Sequence, residues 1–272
     1  MSKDLSPSLI QVTVDRAGRS TEDWLAVEEP LEMRVNGRSV AVVMRTPGAS
    51  PEDDLDLVAG FLLTEGVIDD IDDLVGLKHC MDPAQKNRGN IVIAALATGT
   101  RQGRQRLENA VREMYVGSSC GVCGKATIDR VFQRVEPVEN PLHLDAELIA
   151  QLPDILRQAQ PCFDRTGGLH GAAICTVDGN LTIAAEDIGR HNAVDKVIGR
   201  SLRAGDFPLD NHILVVSSRA GFEIVQKALM ARVGALVAVG AASSLAHQLA
   251  ERSGLNLYSF VRKAGFNHHR FD

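Results

Sequence analysis

Cys120 and Cys123 stand two residues apart in YVGSSCGVCGKATIDRVFQRV (115–135), among Gly117, Gly121 and Gly124 and just ahead of Lys125. Three chemistries use such a pair: metal ligation, disulfide exchange and the carriage of a sulfur atom. A structural zinc site takes four protein ligands, and a catalytic one takes three plus water. Here Cys80, Cys162 and Cys175 are scattered singly and read as small buried hydrophobes. Zinc-dependent nucleotide deaminases add a His-x-Glu element and a Pro-Cys-x-x-Cys element. None of the eight histidines is followed two residues later by glutamate, and Cys120 follows Ser119. Disulfide exchange uses the same spacing, but the pair lies far along the chain and has no neighbouring tryptophan or proline. Sulfur carriage needs a thiolate of depressed pKa on a segment able to reach two partners, because the sulfur is held as a cysteine persulfide. The glycines give backbone freedom. Lys125, Arg130 and the N-terminus of a following helix favour the thiolate. Sulfur carriage is the favoured reading, with disulfide exchange its rival.

The composition is that of a chain with an ordinary core: 272 residues, 44% hydrophobic, net charge −6. A net negative charge and 4% aromatic residues argue against a nucleic-acid-binding surface. No apolar run approaches the length of a signal peptide or a membrane span, the longest being GALVAVGAA (234–242). Five cysteines without framework spacing suit a reducing cytoplasm.

The elements that position these residues fall into two expected parts, 1–140 and 141–272. The first is strand-rich and carries the cysteine pair. WLAVEEPLEMRVNGRSVAVVMRTPG alternates apolar and polar residues on both sides of Asn36-Gly37, which predicts a hairpin. SPEDDLDLVAGFLLTEGVI predicts a helix capped by Ser50, opened by Pro51 and ended by Gly66. NIVIAAL reads as a strand. Ile128, Val131, Phe132 and Val135 share one face of a helix after the cysteine pair. The proline-bearing segment 137–160 predicts a loop and a short helix at the boundary. From residue 166 the order is β-β-α-β-α-β-α-β, which predicts a mixed, mostly parallel sheet with helices on both faces. Ligands of such sheets lie at the carboxyl ends of the strands. The scaffold is expected to be cytidine-deaminase-like without the zinc.

RTPG…GFLLTEGVI, VGSSCGVCGK, RTGGLHGAAI, EDIGRHNAVDKVIG, SSRAGFEIVQKA and LNLYSFVR…FN, between Arg45 and Asn267, together resemble the formate dehydrogenase accessory sulfurtransferase family, FdhD. The resemblance implies a cytoplasmic homodimer that takes sulfur from a cysteine desulfurase. It would deliver that sulfur to the molybdenum of the bis(molybdopterin guanine dinucleotide) cofactor before the cofactor enters formate dehydrogenase. On that pattern Cys120 matches the persulfide-bearing position and Cys123 its partner. Phe260, Val261, Arg262, Lys263, Ala264 and Gly265 match a cofactor-binding stretch, and GDP is a partial mimic of the cargo. A cofactor-sheltering chaperone without sulfur chemistry is the alternative to set beside the oxidoreductase.

The polar runs agree on where an anionic dinucleotide would sit. Ser217, Ser218 and Arg219 join a strand to a helix and offer hydroxyls, amides and a guanidinium to a phosphate. EDIGRHNAVDK (186–196) begins at a strand end. In it Asp187 or Asp195 is expected to accept from guanine N–H groups, and Arg190 and Lys196 to meet phosphates, with His191 in the same cluster. Gly167 and Gly168 would let backbone approach a ligand; His170 reads equally as a core histidine or a polar contact, and His268 and His269 as solvent-exposed.

Overall fold

A computed structural model describes residues 7–97, 137–139 and 141–269 of the chain. Cys120, Cys123 and the helix expected over Ile128 to Val135 lie outside the described residues. Strand β1 (Leu9–Arg16) pairs with β2 (Arg19–Ala26) as a separate two-stranded ribbon, whose Leu9, Trp24 and Ala26 pack against Cys162, Phe163 and Leu169. Strands β3 (Glu29–Val35) and β4 (Arg38–Arg45) meet at Asn36-Gly37, where both residues take left-handed φ (47° and 81°), as a two-residue hairpin turn requires. With β5 (Leu74–His79) and β6 (Ile91–Leu96) they form a four-stranded sheet of order β4-β3-β6-β5.

Helix α1 (Glu52–Thr64) starts one residue later than the sequence suggests. Pro51 occupies the cap position, Ser50 Oγ accepts from the Glu52 amide, and three acidic residues fill the first turn. Gly66, with φ 68°, ends it as expected. The segment 137–160 holds more helix than its prolines suggest. Helix α2 (Ala146–Gln158) runs through Pro153, because Ile149, Leu152 and Leu156 bury one face against the sheet and offset the lost hydrogen bond. Helix α3 (Pro161–Thr166) follows it directly.

The second sheet contains β7 (His170–Thr176), β8 (Leu181–Asp187), β9 (His212–Val216), β10 (Ala235–Ala238), β11 (Asn256–Arg262) and β12 (Gly265–His269), in the order β12-β11-β10-β9-β7-β8. It is mixed, but β9–β10 and β10–β11 are parallel while the other three pairings are antiparallel, so it is not mostly parallel. Strand β12 has no apolar alternation to announce it. Instead His268 stacks on Tyr258 at 4.4 Å, and His269 bonds Ser259 Oγ at 2.8 Å. The two tail histidines are therefore partly buried pins of an edge strand rather than solvent-exposed side chains.

Helices cover both faces, as expected. Leu214 and Val216 point toward α1, α4 (Arg190–Ala204), α5 (Phe222–Met230) and α6 (Ser244–Ser253), while Ile213 and Val215 point toward α2. Helices α1 and α4 touch backbone to backbone: a Cβ at Gly60 would lie 1.9 Å from the Asp195 carbonyl, and one at Gly199 the same distance from that of Asp56. The main core runs from Leu31 and Met33 through Val58, Leu62, Val194 and Ile198 to Leu214, so the parts expected on either side of residue 140 share it.

Candidate functional site

Two polar centres lie where the sequence places its motif residues, and the first is sealed. Asp187, 0% exposed, accepts from the Thr46 amide (3.2 Å), the Gly189 amide (2.8 Å) and Asn192 Nδ2 (2.9 Å), and pairs with Lys196 Nζ at 2.6 Å. Lys196 Nζ also donates to the Thr46 carbonyl at 2.9 Å, and Asn192 to that of Met44 at 2.7 Å. One helical turn on, Asp195 accepts from Lys227 Nζ at 2.9 Å and Thr64 Oγ1 at 2.8 Å, and Lys227 donates further to Glu65 at 3.0 Å. Burial alone would push the Lys227 ammonium down, but Asp195 and Glu65 hold it above its ordinary value, so it stays charged. Three of the quoted motifs, around 45–66, 186–196 and 217–228, thus close on one another as a clasp between the two sheets. The expectation that Asp187, Asp195 and Lys196 meet a ligand is corrected: all are at most 2% exposed and spent on interior partners.

The second centre is open. Strands β9, β10 and β11 run parallel and end side by side, where the Val239 amide donates to Val216 and the Gly240 amide to Ser218, each at 3.0 Å. Gly240 accepts in turn from the Phe260 amide at 2.9 Å, and a Cβ at Gly240 would lie 2.9 Å from Arg219 Cα. Arg219, Gly240 and Phe260 therefore form one row across three strand ends. Arg219 is exposed and makes no ion pair among the described residues. Phe260 is 46% exposed and held at φ 51° in a β-bulge between Ser259 and Arg262. A left-handed aromatic residue is an outlier, stored strain that surrounding structure must enforce. Beyond it Arg262 pairs with Gly265 across a turn of exposed Lys263 and Ala264, and Lys263 reaches Asp154 of α2 at 3.0 Å. Val261 differs from its neighbours: it is fully buried in the core on the α2 side and anchors the stretch instead of facing a ligand.

Arg190 and His191 sit at the start of α4 and converge on Glu223 in the first turn of α5, His191 Nε2 at 2.8 Å and Arg190 at 3.9 Å. The His191 hydrogen bond holds the Glu223 carboxyl below its ordinary pKa. Next to them His170 is half-buried; burial, then Arg190 and His191, push its imidazole below its ordinary pKa.

Below the strand ends, α2, α3 and the start of β7 line a half-open pocket of about 500 Å³ that Gly167, Gly168, His170, Ser217 and Val239 border. Its polar feature is a residue the sequence did not single out. Gln160 is 3% exposed, and its Nε2 is buried without a hydrogen-bond partner. The only trace in the sequence is a glutamine set directly before a helix-opening proline. Glu186, another member of the charged run, caps α3 by accepting from the Cys162 and Phe163 amides at 2.9 and 2.7 Å. Burial beside Glu186 pushes the Cys162 thiol up to about 12, and burial alone takes Cys175 to about 11. With Cys80 these are the small buried hydrophobes expected.

Residues 26–270 match the model of the FdhD/NarQ family. The chain is 47% identical over 258 residues to a protein of Streptomyces avermitilis, covering 93% of this chain and 89% of the relative. It is 47% identical over 252 residues to one of Mycobacterium tuberculosis (90% and 89%), and 44% over 262 residues to one of Anaeromyxobacter dehalogenans (94% and 89%). All three are named sulfur carrier protein FdhD. The fold matches the crystal structure of a formate dehydrogenase accessory protein from Desulfotalea psychrophila, with a TM-score of 0.71 over 96% of each chain at 21% identity.

Proposed function

The chain belongs to the FdhD/NarQ family, and from that premise we propose that it is a sulfur carrier required for formate dehydrogenase activity. The Cys120 thiolate attacks the terminal sulfur of a persulfide on a cysteine desulfurase. The donor's S–S bond breaks, the donor leaves as a thiolate, and Cys120 holds the persulfide beside Cys123. The sulfur is destined for the molybdenum of the bis(molybdopterin guanine dinucleotide) cofactor, the cargo, before its insertion into formate dehydrogenase. The protein works as a cytoplasmic homodimer on a deaminase-like sheet. At the strand ends Phe260 offers an exposed ring for stacking, and Arg219 and Arg262 offer guanidinium groups to phosphates. Arg190 and His191 border the same end of the sheet, and GDP is the simplest partial mimic.

The observation that carries this reading is the Cys120-Gly-Val-Cys123 pair inside a chain that matches sulfur carriers over nearly its whole length. Incubation with a cysteine desulfurase and cysteine should add the mass of one sulfur to the Cys120 peptide. Cys120→Ala should lose that addition and fail to mature formate dehydrogenase, with its melting curve unchanged. Full maturation by Cys120→Ala would refute the persulfide role and favour a sheltering chaperone. A Cys120–Cys123 disulfide formed with turnover would favour an oxidoreductase.

A further inference from the structure

Two histidines face each other through the same ring atom where α6 meets the edge strand β12. His247 of α6 and His269 of β12 bring their Nδ1 atoms to 3.2 Å, with ring centroids 5.3 Å apart. The other ring nitrogen of His269, Nε2, lies 2.8 Å from Ser259 Oγ of β11. Both rings are half-buried, and Ser259 is fully buried. A hydrogen bond between two imidazoles needs a proton on one Nδ1 and a lone pair on the other. The neutral pair meets that condition. A pair with one extra proton meets it too, since one ring still presents a bare Nδ1. With two extra protons, like N–H groups on two cations point at one another and the contact is lost.

The surroundings favour the uncharged ring. On β11, Leu257 pairs with His269 across the ladder, and neither Leu257 nor Ser259 ionises. His268 points to the opposite face of β12, where it stacks on Tyr258 and donates through Nε2 to Asn256 Oδ1 at 3.0 Å. Glu251, one turn past His247 on α6, is exposed, where water screens it. Burial, then the field of His247, pushes the His269 imidazole below its ordinary pKa. The pair also has something to hold. Strand β12 is bonded to β11 on one side only, and the bulge that follows Ser259 carries Phe260 at φ 51°. The Phe260 amide donates to Gly240 at 2.9 Å, so its protection from exchange reports whether the bulge is held.

We propose that His247 and His269 form an acid-sensitive latch, which ties β12 to α6 and lets go of β12 and the Phe260 bulge when both rings are protonated. The latch is a property of the fold and stands independently of the sulfur-carrier reading. The folded pair accepts one proton where the unfolded chain accepts two. This corner is therefore fully stable above the ordinary histidine value near 6.5 and loosens as pH falls beneath it. In the full chain, the imidazole resonances of His247 and His269 should titrate in two steps at least about one pH unit apart. The lower step should bring an about tenfold loss of protection at Phe260 and at the β12 amides paired with β11, after correction for the intrinsic effect of pH on exchange. In His247→Gln a neutral carbonyl can accept from a protonated His269, so protection should persist at low pH. Independent titration of the two rings near their ordinary value, or protection that does not fall at the lower step, would overturn the proposal. Opening of His247→Gln to the same extent as the unaltered protein overturns it equally. Should His247→Gln not fold, the titration and exchange of the unaltered protein decide the matter by themselves.

Discussion

The clasp around Asp187 and Asp195 and the strand-end crevice around Arg219 and Phe260 draw on the same stretches of sequence. Asp187 stands three residues before Arg190, and Arg219 eight before Lys227. In the clasp Asp187, Asp195, Lys196 and Lys227 are each buried beside an opposite charge, and bonds from Thr46 and Thr64 tie in segments more than 100 residues away. In the crevice a guanidinium has no ion-pair partner among the described residues, an aromatic residue is held at positive φ, and a buried amide nearby lacks a partner. The difference shows that charge density alone does not mark a binding site. Polar groups that satisfy each other hold the sheets together, while the exposed guanidinium of Arg219 and the strained ring of Phe260 face outward.

The contrast can be broken most forcefully at Lys227. Lys227→Met leaves Asp195 a buried, unpaired carboxylate and should cost about 3–5 kcal/mol in urea denaturation. A loss no larger than that of a surface substitution would mean that the clasp is not structural. A smaller effect should appear with pH. His170 in the folded protein binds its proton less readily than the ordinary value near 6.5, because it is buried beside Arg190 and His191. The unfolded chain then binds more protons as pH falls below about 6.5, so stability is full above that value and declines beneath it. Melting temperatures from pH 7.5 to 5.5 should fall, and His170→Gln should flatten the decline. The smallest change in stability belongs to the crevice: Arg219→Ala should unfold within about 0.5 kcal/mol of the unaltered protein while its affinity for GDP drops. Equal losses of stability from Arg219→Ala and Lys227→Met would erase the distinction between the centres.

Local physics made much of the fold legible. The Asn36-Gly37 turn demands positive φ whatever surrounds it, and α1 announces itself through acidic residues at one end and Gly66 at the other. What escaped was decided by tertiary partners. Helix α2 runs through Pro153 because a sheet receives its apolar face, and β12 forms because two histidines find Tyr258 and Ser259. Val261 lies between two exposed neighbours, and the core on the α2 side receives it. Gln160 carries no motif; its burial arises from where α3 and β7 set it.

The chain on its own settled which residue types are present for chemistry: a cysteine pair among glycines, charged runs at strand ends and a carboxyl-end crevice of parallel strands. It also placed the protein among sulfur carriers by resemblance. Which acids and lysines face inward was settled only by packing, since a side chain's direction depends on the strand or helix that lies against it. Burial turned Asp187, Asp195, Lys196 and Lys227 into mutual partners, and left Arg219 and Phe260 exposed at the strand ends.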